Sequence, residues 1–186
     1  MEKNITKQIR DYVEKECRKP TSLYGYEPFS DHFVPVHKYA KILAQKAGAD
    51  VEIVEIAAWL HDIGSIIYGR KEHHITGARI AVEKLASLNY PPEKIQKVAY
   101  CIKCHRGSQK IKREILEAKI LAEADAMSHF DNIAGIFRAA FVFEKQNRSE
   151  ANESVKNKLK NSWNKLSPGA RSIIKLKYKA AMLLLN

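Results

Sequence analysis

The chain has 186 residues, of which 45% are hydrophobic, so it can bury one sizeable core but is too short for two large domains. We therefore expect a single domain over residues 1–186. No segment approaches the roughly 18 consecutive apolar residues that cross a bilayer, which argues against a membrane protein.

The N-terminus and the cysteines indicate a reducing compartment. Residues 1–20 contain no apolar core of a signal peptide. The three cysteines, Cys17, Cys101 and Cys104, are an odd number and suit no disulfide framework. We therefore expect a cytoplasmic protein with reduced thiols.

The net charge of +11 suggests a polyanionic partner, but its distribution argues against nucleic acid. Residues 144–186 contain ten Lys/Arg and three Asp/Glu, a balance of +7 that leaves only +4 for residues 1–143. All seven histidines lie between positions 32 and 129, away from this basic segment. We interpret its lysines as the solvated faces of packed amphipathic helices.

Apolar residues recur at helical spacing along nearly the whole chain, and the few Val/Ile/Tyr runs do not alternate as strands do. The pattern predicts an all-α, single-domain helical bundle. The first helix ends before Pro20, and the second begins near His32. Their apolar stripes are Ile5, Ile9, Val13 and Cys17, and then Val36, Tyr39, Leu43 and Ala47.

A third helix, about residues 51–62, is apolar nearly all round, which is typical of a central buried helix, and we expect it to end at Gly64. Further helices are predicted at about 74–88, 92–105, 114–129 and 130–145. Residues 144–154 are polar and predict a linker or loosely ordered turn.

The segment 150–186 is predicted to be a C-terminal helical extension packed on the core. Ser167 and Pro168 suit the N-cap and first position of its last helix. The stripes expected to be buried are Val155, Leu159, Trp163 and Leu166 in one helix, and Ile173, Leu176, Ala180 and Leu184 in the other.

The adjacent pair His61-Asp62 lies at the end of the helix that is predicted to be buried. An unpaired carboxylate inside a core costs several kcal/mol, and a cation would offset that cost. Asp125 continues the apolar stripe of its own helix, and His32 lies one turn before Val36 on another. Four inward-facing nitrogen and oxygen ligands from three helices can hold a divalent first-row metal and leave positions for water and substrate.

These residues lie in motifs that resemble the HD-domain superfamily of metal-dependent phosphohydrolases over about residues 25–135. The similar segments are WLHDIG (59–64), EHHITGARIA (72–81), CHRG (104–107) and ILAEADAMSHFD (120–131), together with the position of His32. The resemblance implies that the metal ligands are His32, His61, Asp62 and Asp125. It further implies that His73 and His105 serve a second metal or the phosphate.

Two of these positions have a competing histidine. His37 lies about 140° around the helix from His32 and too close to the following loop, so His32 is preferred. The family pattern, a histidine four residues before a glycine, selects His73, whereas helical periodicity alone favours His74. The histidines interpreted as ordinary core residues are His37, His74 and His129.

The segment CIKCH (101–105) matches the C-x-x-C-H haem-attachment pattern letter for letter. We interpret this match as accidental, because helical periodicity continues through the segment and no export signal precedes it. As a zinc site, the cysteine pair lacks a second C-x-x-C partner.

The resemblance implies hydrolysis of a phosphoester in a nucleotide or small phosphorylated metabolite, with one or two divalent ions of Fe, Mn, Ni or Zn. Asp62 would orient or deprotonate the attacking water. His73, His105 and Arg106 would stabilise negative charge on the phosphoryl oxygens, although Arg106 fits a solvated cation near a helix C-terminus equally well. The lysine after HDIG and the GYP loop of cyclic di-GMP phosphodiesterases are absent, which argues against that substrate.

Two other classes of function fit parts of the sequence. A sensing module would keep the metal site and bind a nucleotide with little turnover. A nucleic-acid binder would use the basic C-terminal segment and would lose affinity steeply with salt. A small phosphorylated substrate remains the expected partner, and a homo-oligomer is compatible with the sequence.

Overall fold

The structure is a computed structural model that describes residues 4–106 and 112–185. Within these ranges the chain is all-α and contains no β-strand. The helices are α1 (Ile5–Arg18), α2 (Val34–Ala47), α3 (Val51–Leu60), α4 (Ile63–Tyr68), α5 (His73–Ser87), α6 (Pro92–Cys104), α7 (Leu116–Ser128), α8 (Ile133–Arg138), α9 (Arg148–Asn164) and α10 (Pro168–Leu184). Two π-helical turns, Phe29–Phe33 and Ala139–Phe143, precede α2 and follow α8. No helix in the described part of the chain combines the length and apolar character that a membrane span requires.

α3 forms the centre of the bundle, as its apolar composition predicts. It packs against α1, α2, α5, α6 and α7. Its buried side chains are Ile53, Val54, Ile56, Ala57, Ala58, Trp59 and Leu60. The carboxylate of Asp50 caps the helix by accepting a hydrogen bond from the Ile53 N–H at 3.2 Å. The C-terminal end of α3 is therefore fixed in the core, and His61 and Asp62 follow it there.

The predicted end of the third helix at Gly64 is wrong. α3 ends at Leu60, and Gly64 lies inside the short helix α4. The glycine is needed for close packing: a Cβ at this position would lie 2.4 Å from both the carbonyl oxygen of His73 and Oγ1 of Thr76. This contact brings the start of α5 against the His61-Asp62 turn.

Two other predicted boundaries also differ from the structure. α2 begins at Val34, and His32 lies in the π-helical turn before it. Residues 148–154 belong to α9 and not to a linker, because Asn147 and Glu150 form a capping box. The Asn147 side chain accepts from the Glu150 N–H at 3.1 Å, and the Glu150 carboxylate accepts from the Asn147 N–H at 2.8 Å.

The C-terminal pair of helices packs against the rest of the bundle through one face of each helix. α9 contacts α7 and α8 and buries Val155 and Leu159, Leu166 is buried just after it, and Trp163 is half-buried. The stripe predicted for α10 is wrong, because Leu176 and Leu184 are each 81% exposed. The residues that α10 buries are Ala170, Ile174 and Ala181, followed by Leu185.

Polar and aromatic contacts explain the rotation of α10. Lys177 pairs with Asp131, which also accepts a hydrogen bond from the Tyr39 hydroxyl at 2.7 Å. The Tyr178 ring stacks on Trp163 with centroids 4.1 Å apart. These contacts turn the Ile174 side of the helix toward the core, and periodicity alone does not contain that information.

We predict that Gly64→Ala destabilises the protein, because the added methyl group would clash with backbone atoms, which cannot move aside as the end of a flexible side chain can. Overpacking of this kind costs about 1–3 kcal/mol in the free energy of unfolding, measured by urea denaturation. Gly169→Ala is the matched control, since a Cβ added at Gly169 would meet nothing within 4 Å. Equal stability of the two variants would contradict the packing account of Gly64.

Candidate metal centre

The structure brings six of the predicted site residues together beside a cavity of about 1410 Å³, and all of them except the fully buried His61 line it. They come from separate parts of the bundle: His32 from the π-helical turn, His61 and Asp62 from the turn between α3 and α4, His73 from the start of α5, His105 from the end of α6 and Asp125 from α7. The core packing of these elements therefore fixes the site.

The first group of side chains surrounds one oxygen of Asp62. His32 Nε2 lies 3.0 Å from His61 Nε2, 3.4 Å from Asp62 Oδ2 and 3.6 Å from Asp125 Oδ1. His61 Nε2 lies 3.7 Å from the same Asp62 oxygen. The imidazole nitrogens of His32 and His61 thus meet Oδ2 of Asp62, and the Asp125 carboxylate lies next to this group on the His32 side.

The second group surrounds the other oxygen of Asp62. Asp62 Oδ1 lies 3.2 Å from His73 Nε2 and 3.4 Å from His105 Nε2. The two imidazole nitrogens are 3.3 Å apart. Asp62 is consequently shared by both groups, with one oxygen directed to each.

Backbone hydrogen bonds fix the protonation of three of these rings. In each ring Nδ1 faces the carbonyl oxygen of the residue three positions earlier, and a carbonyl can only accept, so Nδ1 carries the proton. The acceptors are Ala58 for His61 at 2.8 Å, Arg70 for His73 at 2.9 Å and Ile102 for His105 at 2.6 Å. In the neutral ring, Nε2 is then an unprotonated lone pair.

A hydrogen bond to Ser128 gives His32 the same tautomer, with the proton on Nδ1. The Ser128 hydroxyl donates to the carbonyl oxygen of Asp125 at 2.7 Å, so its oxygen accepts the Nδ1–H of His32 at 3.2 Å. When the rings are neutral, both groups therefore point Nε2 lone pairs at each other across 3.0–3.3 Å. Lone pairs at this separation repel unless a cation lies between them, and this pattern is typical of metal ligands oriented by hydrogen bonds to Nδ1.

The electrostatics favour the ligand forms of Asp62, Asp125 and His61 at neutral pH. Burial raises the pKa of Asp62, but His61, His105 and His32 outweigh it and hold that pKa well below its usual range. Burial also opposes ionisation of Asp125, yet His129 and the other nearby imidazoles lower its pKa to about 2. Burial lowers the pKa of His61 to about 4, so its ring is neutral.

The pKa of His105 shifts in the opposite direction to that of His61, because the Asp62 carboxylate favours positive charge beside it. Burial opposes its protonation, but the Asp62 carboxylate outweighs burial and raises the pKa of His105. Asp62 Oδ1 is shielded from solvent and makes no hydrogen bond with the described residues. Imidazole nitrogens and carboxylate oxygens suit Mn, Fe, Ni and Zn, so the residues present fit divalent metal ions.

Two histidines that competed for site positions lie outside the centre. His37 contacts the Glu55 carboxylate at 3.0 Å and stacks on Trp59 with centroids 4.5 Å apart. His74 is buried beside His73, but its ring belongs to neither group of ligand atoms. The structure therefore places His32 and His73 in the centre, as the family pattern implied.

The remaining motif residues take different positions. Arg106 lines the cavity next to His105. Cys101 and Cys104 are buried free thiols, so His105 alone of the C-x-x-C-H segment reaches the centre. Gly107, the last residue of the CHRG motif, lies outside the described residues.

His129 was interpreted as a core residue, but it lines the cavity beside the centre. Its Nε2 lies 3.7 Å from Asp125 Oδ1, and its Nδ1 lies 2.8 Å from the Ser162 hydroxyl of α9. Burial, followed by the charge of Lys158, lowers its pKa to about 3. The available signal was its position four residues after Asp125, on the same helix face.

The C-terminal extension also contributes to the cavity, which the sequence did not reveal. Lys158 is half-buried and lines the cavity together with Ser162 and Asn161. The expectation that the C-terminal lysines face solvent is therefore wrong for Lys158. Core packing of Val155 and Leu159 directs the neighbouring polar face of α9 into the cavity.

Comparison with known structures shows the same fold in other proteins. The structure of Bacillus subtilis YpgQ in complex with ADP superposes with a TM-score of 0.69 at 21% identity, over 96% of this chain and 92% of that one. An HD-superfamily hydrolase from Bacillus thuringiensis gives a TM-score of 0.73 at 17% identity, over 97% of this chain and 93% of that one.

Sequence comparison adds a relative and a family. Ribonuclease Y of Symbiobacterium thermophilum is 31% identical over 97 residues, which are 52% of this chain but only 17% of that enzyme. The family model of the HD domain matches residues 29–129, more than half of the chain and the whole span from His32 to Asp125. The chain therefore belongs to the HD domain family.

Proposed function

We propose that this protein is a metal-dependent phosphohydrolase that cleaves a phosphoester of a nucleotide or a small phosphorylated metabolite. The observation that carries the proposal is the convergence of imidazole nitrogens and carboxylate oxygens beside a large cavity. Proteins in the HD family are generally metal-dependent hydrolases. The cavity beside the ligands provides room for a substrate.

The arrangement of Asp62 favours two metal ions. His32, His61 and Asp125 would hold one ion with Oδ2 of Asp62, and His73 and His105 would hold the other with Oδ1. A divalent ion in such a site supplies a Lewis acid that withdraws electron density from a phosphoryl oxygen and eases the ionisation of water.

The protein side chains have distinct parts in this proposal. Asp62 is a weak base, because its pKa lies well below the usual range, so it orients water and ligands instead of accepting the proton. Ser128 orients the His32 ring through its hydroxyl group. Arg70 and Arg106 line the cavity and place positive charge where phosphoryl oxygens would bind.

Two observations favour a nucleotide among phosphorylated substrates. The cavity of about 1410 Å³ exceeds the roughly 300–1,000 Å³ typical of small-molecule sites, so it accommodates more than a phosphate group. The structurally similar YpgQ binds ADP, and the relative found by sequence is a ribonuclease, so both support phosphate esters of nucleosides.

We predict that the purified protein binds two divalent transition-metal ions per chain. Asp125→Ala should weaken binding of one ion and His73→Ala binding of the other, because Asp125 lies next to His32 and His73 lies next to Oδ1 of Asp62. Asp62→Ala should lose both. Elemental analysis after dialysis against a weak chelator measures the stoichiometry.

His37→Ala is the control for these metal measurements, since His37 is half-buried but outside the centre. Helical content by circular dichroism should stay close to that of the unaltered protein in Asp125→Ala, because most of the core does not contact Asp125. A full complement of metal in Asp62→Ala would contradict the ligand assignment.

We predict hydrolysis of at least one class in a panel of nucleoside mono-, di- and triphosphates, cyclic nucleotides and an RNA oligonucleotide, with Mn²⁺ present. The rate should fall in Asp125→Ala by more than the roughly 10–100-fold loss typical of outer-shell changes. Phosphate or nucleotide release measures turnover. Tight nucleotide binding with no turnover on any substrate would favour the sensing module instead.

A further inference from the structure

Lys158 of α9 is a half-buried cation that forms no ion pair with any residue that the structure describes. It lines the same cavity as the metal centre. Within the described residues it makes no hydrogen bond and no ion pair. Arg70 and Arg138, which line the same cavity, have carboxylate partners: Arg70 lies 2.6 Å from Glu144 and Arg138 lies 3.7 Å from Glu27.

The position of Lys158 is fixed by the opposite face of its helix. Ala151, Val155 and Leu159 of α9 are buried in the bundle. The residues in and just after α9 that line the cavity include Ser154, Asn157, Lys158, Asn161, Ser162 and Lys165, which recur at intervals of three and four. α9 therefore cannot turn Lys158 to solvent without exposing its apolar face.

A partly buried ammonium group without a partner is unfavourable, because it has lost part of its hydration. Burial correspondingly lowers the pKa of Lys158, although the charge of Asp125 opposes this effect. The metal-centre carboxylates are within electrostatic reach, but two carboxylates cannot neutralise two divalent ions. A metal centre that holds two divalent ions would then present positive charge to the same cavity as Lys158. A multiply charged anion bound between them would neutralise the charge of both.

We infer that Lys158 determines specificity by binding the phosphate next to the one held at the metal centre, so that the cavity selects nucleotides with two or more phosphates. This inference rests on the proposed function. Its support is that Lys158 approaches from a different helix than any proposed metal ligand, and that the cavity exceeds the volume needed for a single phosphate. The C-terminal extension thereby becomes part of the substrate site.

The test is nucleotide binding by the metal-loaded protein, measured by isothermal titration calorimetry. The probes are AMP and α,β-methylene-ADP, whose phosphates cannot be separated by hydrolysis of the bridge. Lys158→Met should weaken binding of the diphosphate analogue by about 10-fold or more, as expected for loss of a charge-assisted hydrogen bond, and AMP binding by less than about 2-fold. Lys158→Arg should restore most of the affinity, because it keeps the charge.

Lys160→Met is the matched control, because Lys160 is exposed on the same helix and does not line the cavity. It should bind both probes like the unaltered protein. Unchanged affinity in Lys158→Met, an equal loss for both probes, or loss of metal from that variant would overturn the inference. If the unaltered protein binds neither probe, the nucleotide proposal itself fails, and the role of Lys158 fails with it.

Discussion

The structure depends on the need to neutralise Asp62, a carboxylate with one oxygen shielded from solvent. Four imidazoles surround it, and each has its Nδ1 proton committed to a carbonyl or hydroxyl oxygen. Their Nε2 lone pairs therefore point inward with no protein donor to meet them. In a core, such a group of acceptors is stable only around cations, whether protons or metal ions.

Short, tightly packed connections between helices hold the site residues around Asp62. α3 carries His61 and Asp62 to the centre of the bundle, and the close contact at Gly64 draws the start of α5 against them. His73 is the first residue of α5, so a shift of this contact would separate it from Asp62. Packing around α4 thus affects the site as directly as a change of a ligand would.

The sequence predicts the helical class and the central helix because α3 is apolar on nearly every face. It also predicts His61, Asp62 and Asp125, since polar groups on buried stripes are conspicuous. His129 has the same pattern as a buried core histidine, so its place beside Asp125 required the fold. The orientation of Lys158 could not be predicted, because the packing of α9 against α7 and α8 sets it. Likewise, the contacts of Lys177 and Tyr178 rotate α10 away from the orientation that its apolar periodicity predicts.

The central claim is that the two oxygens of Asp62, each with the imidazoles around it, would hold two divalent cations. Anomalous diffraction from crystals of the Mn²⁺-loaded protein, recorded above and below the manganese edge, tests it most directly. The account predicts two peaks about 3.5–4 Å apart, the separation typical of two-metal sites, one at each oxygen of Asp62. A single peak near His32 and Asp125, with His73 and His105 bound only to each other or to solvent, would contradict the claim.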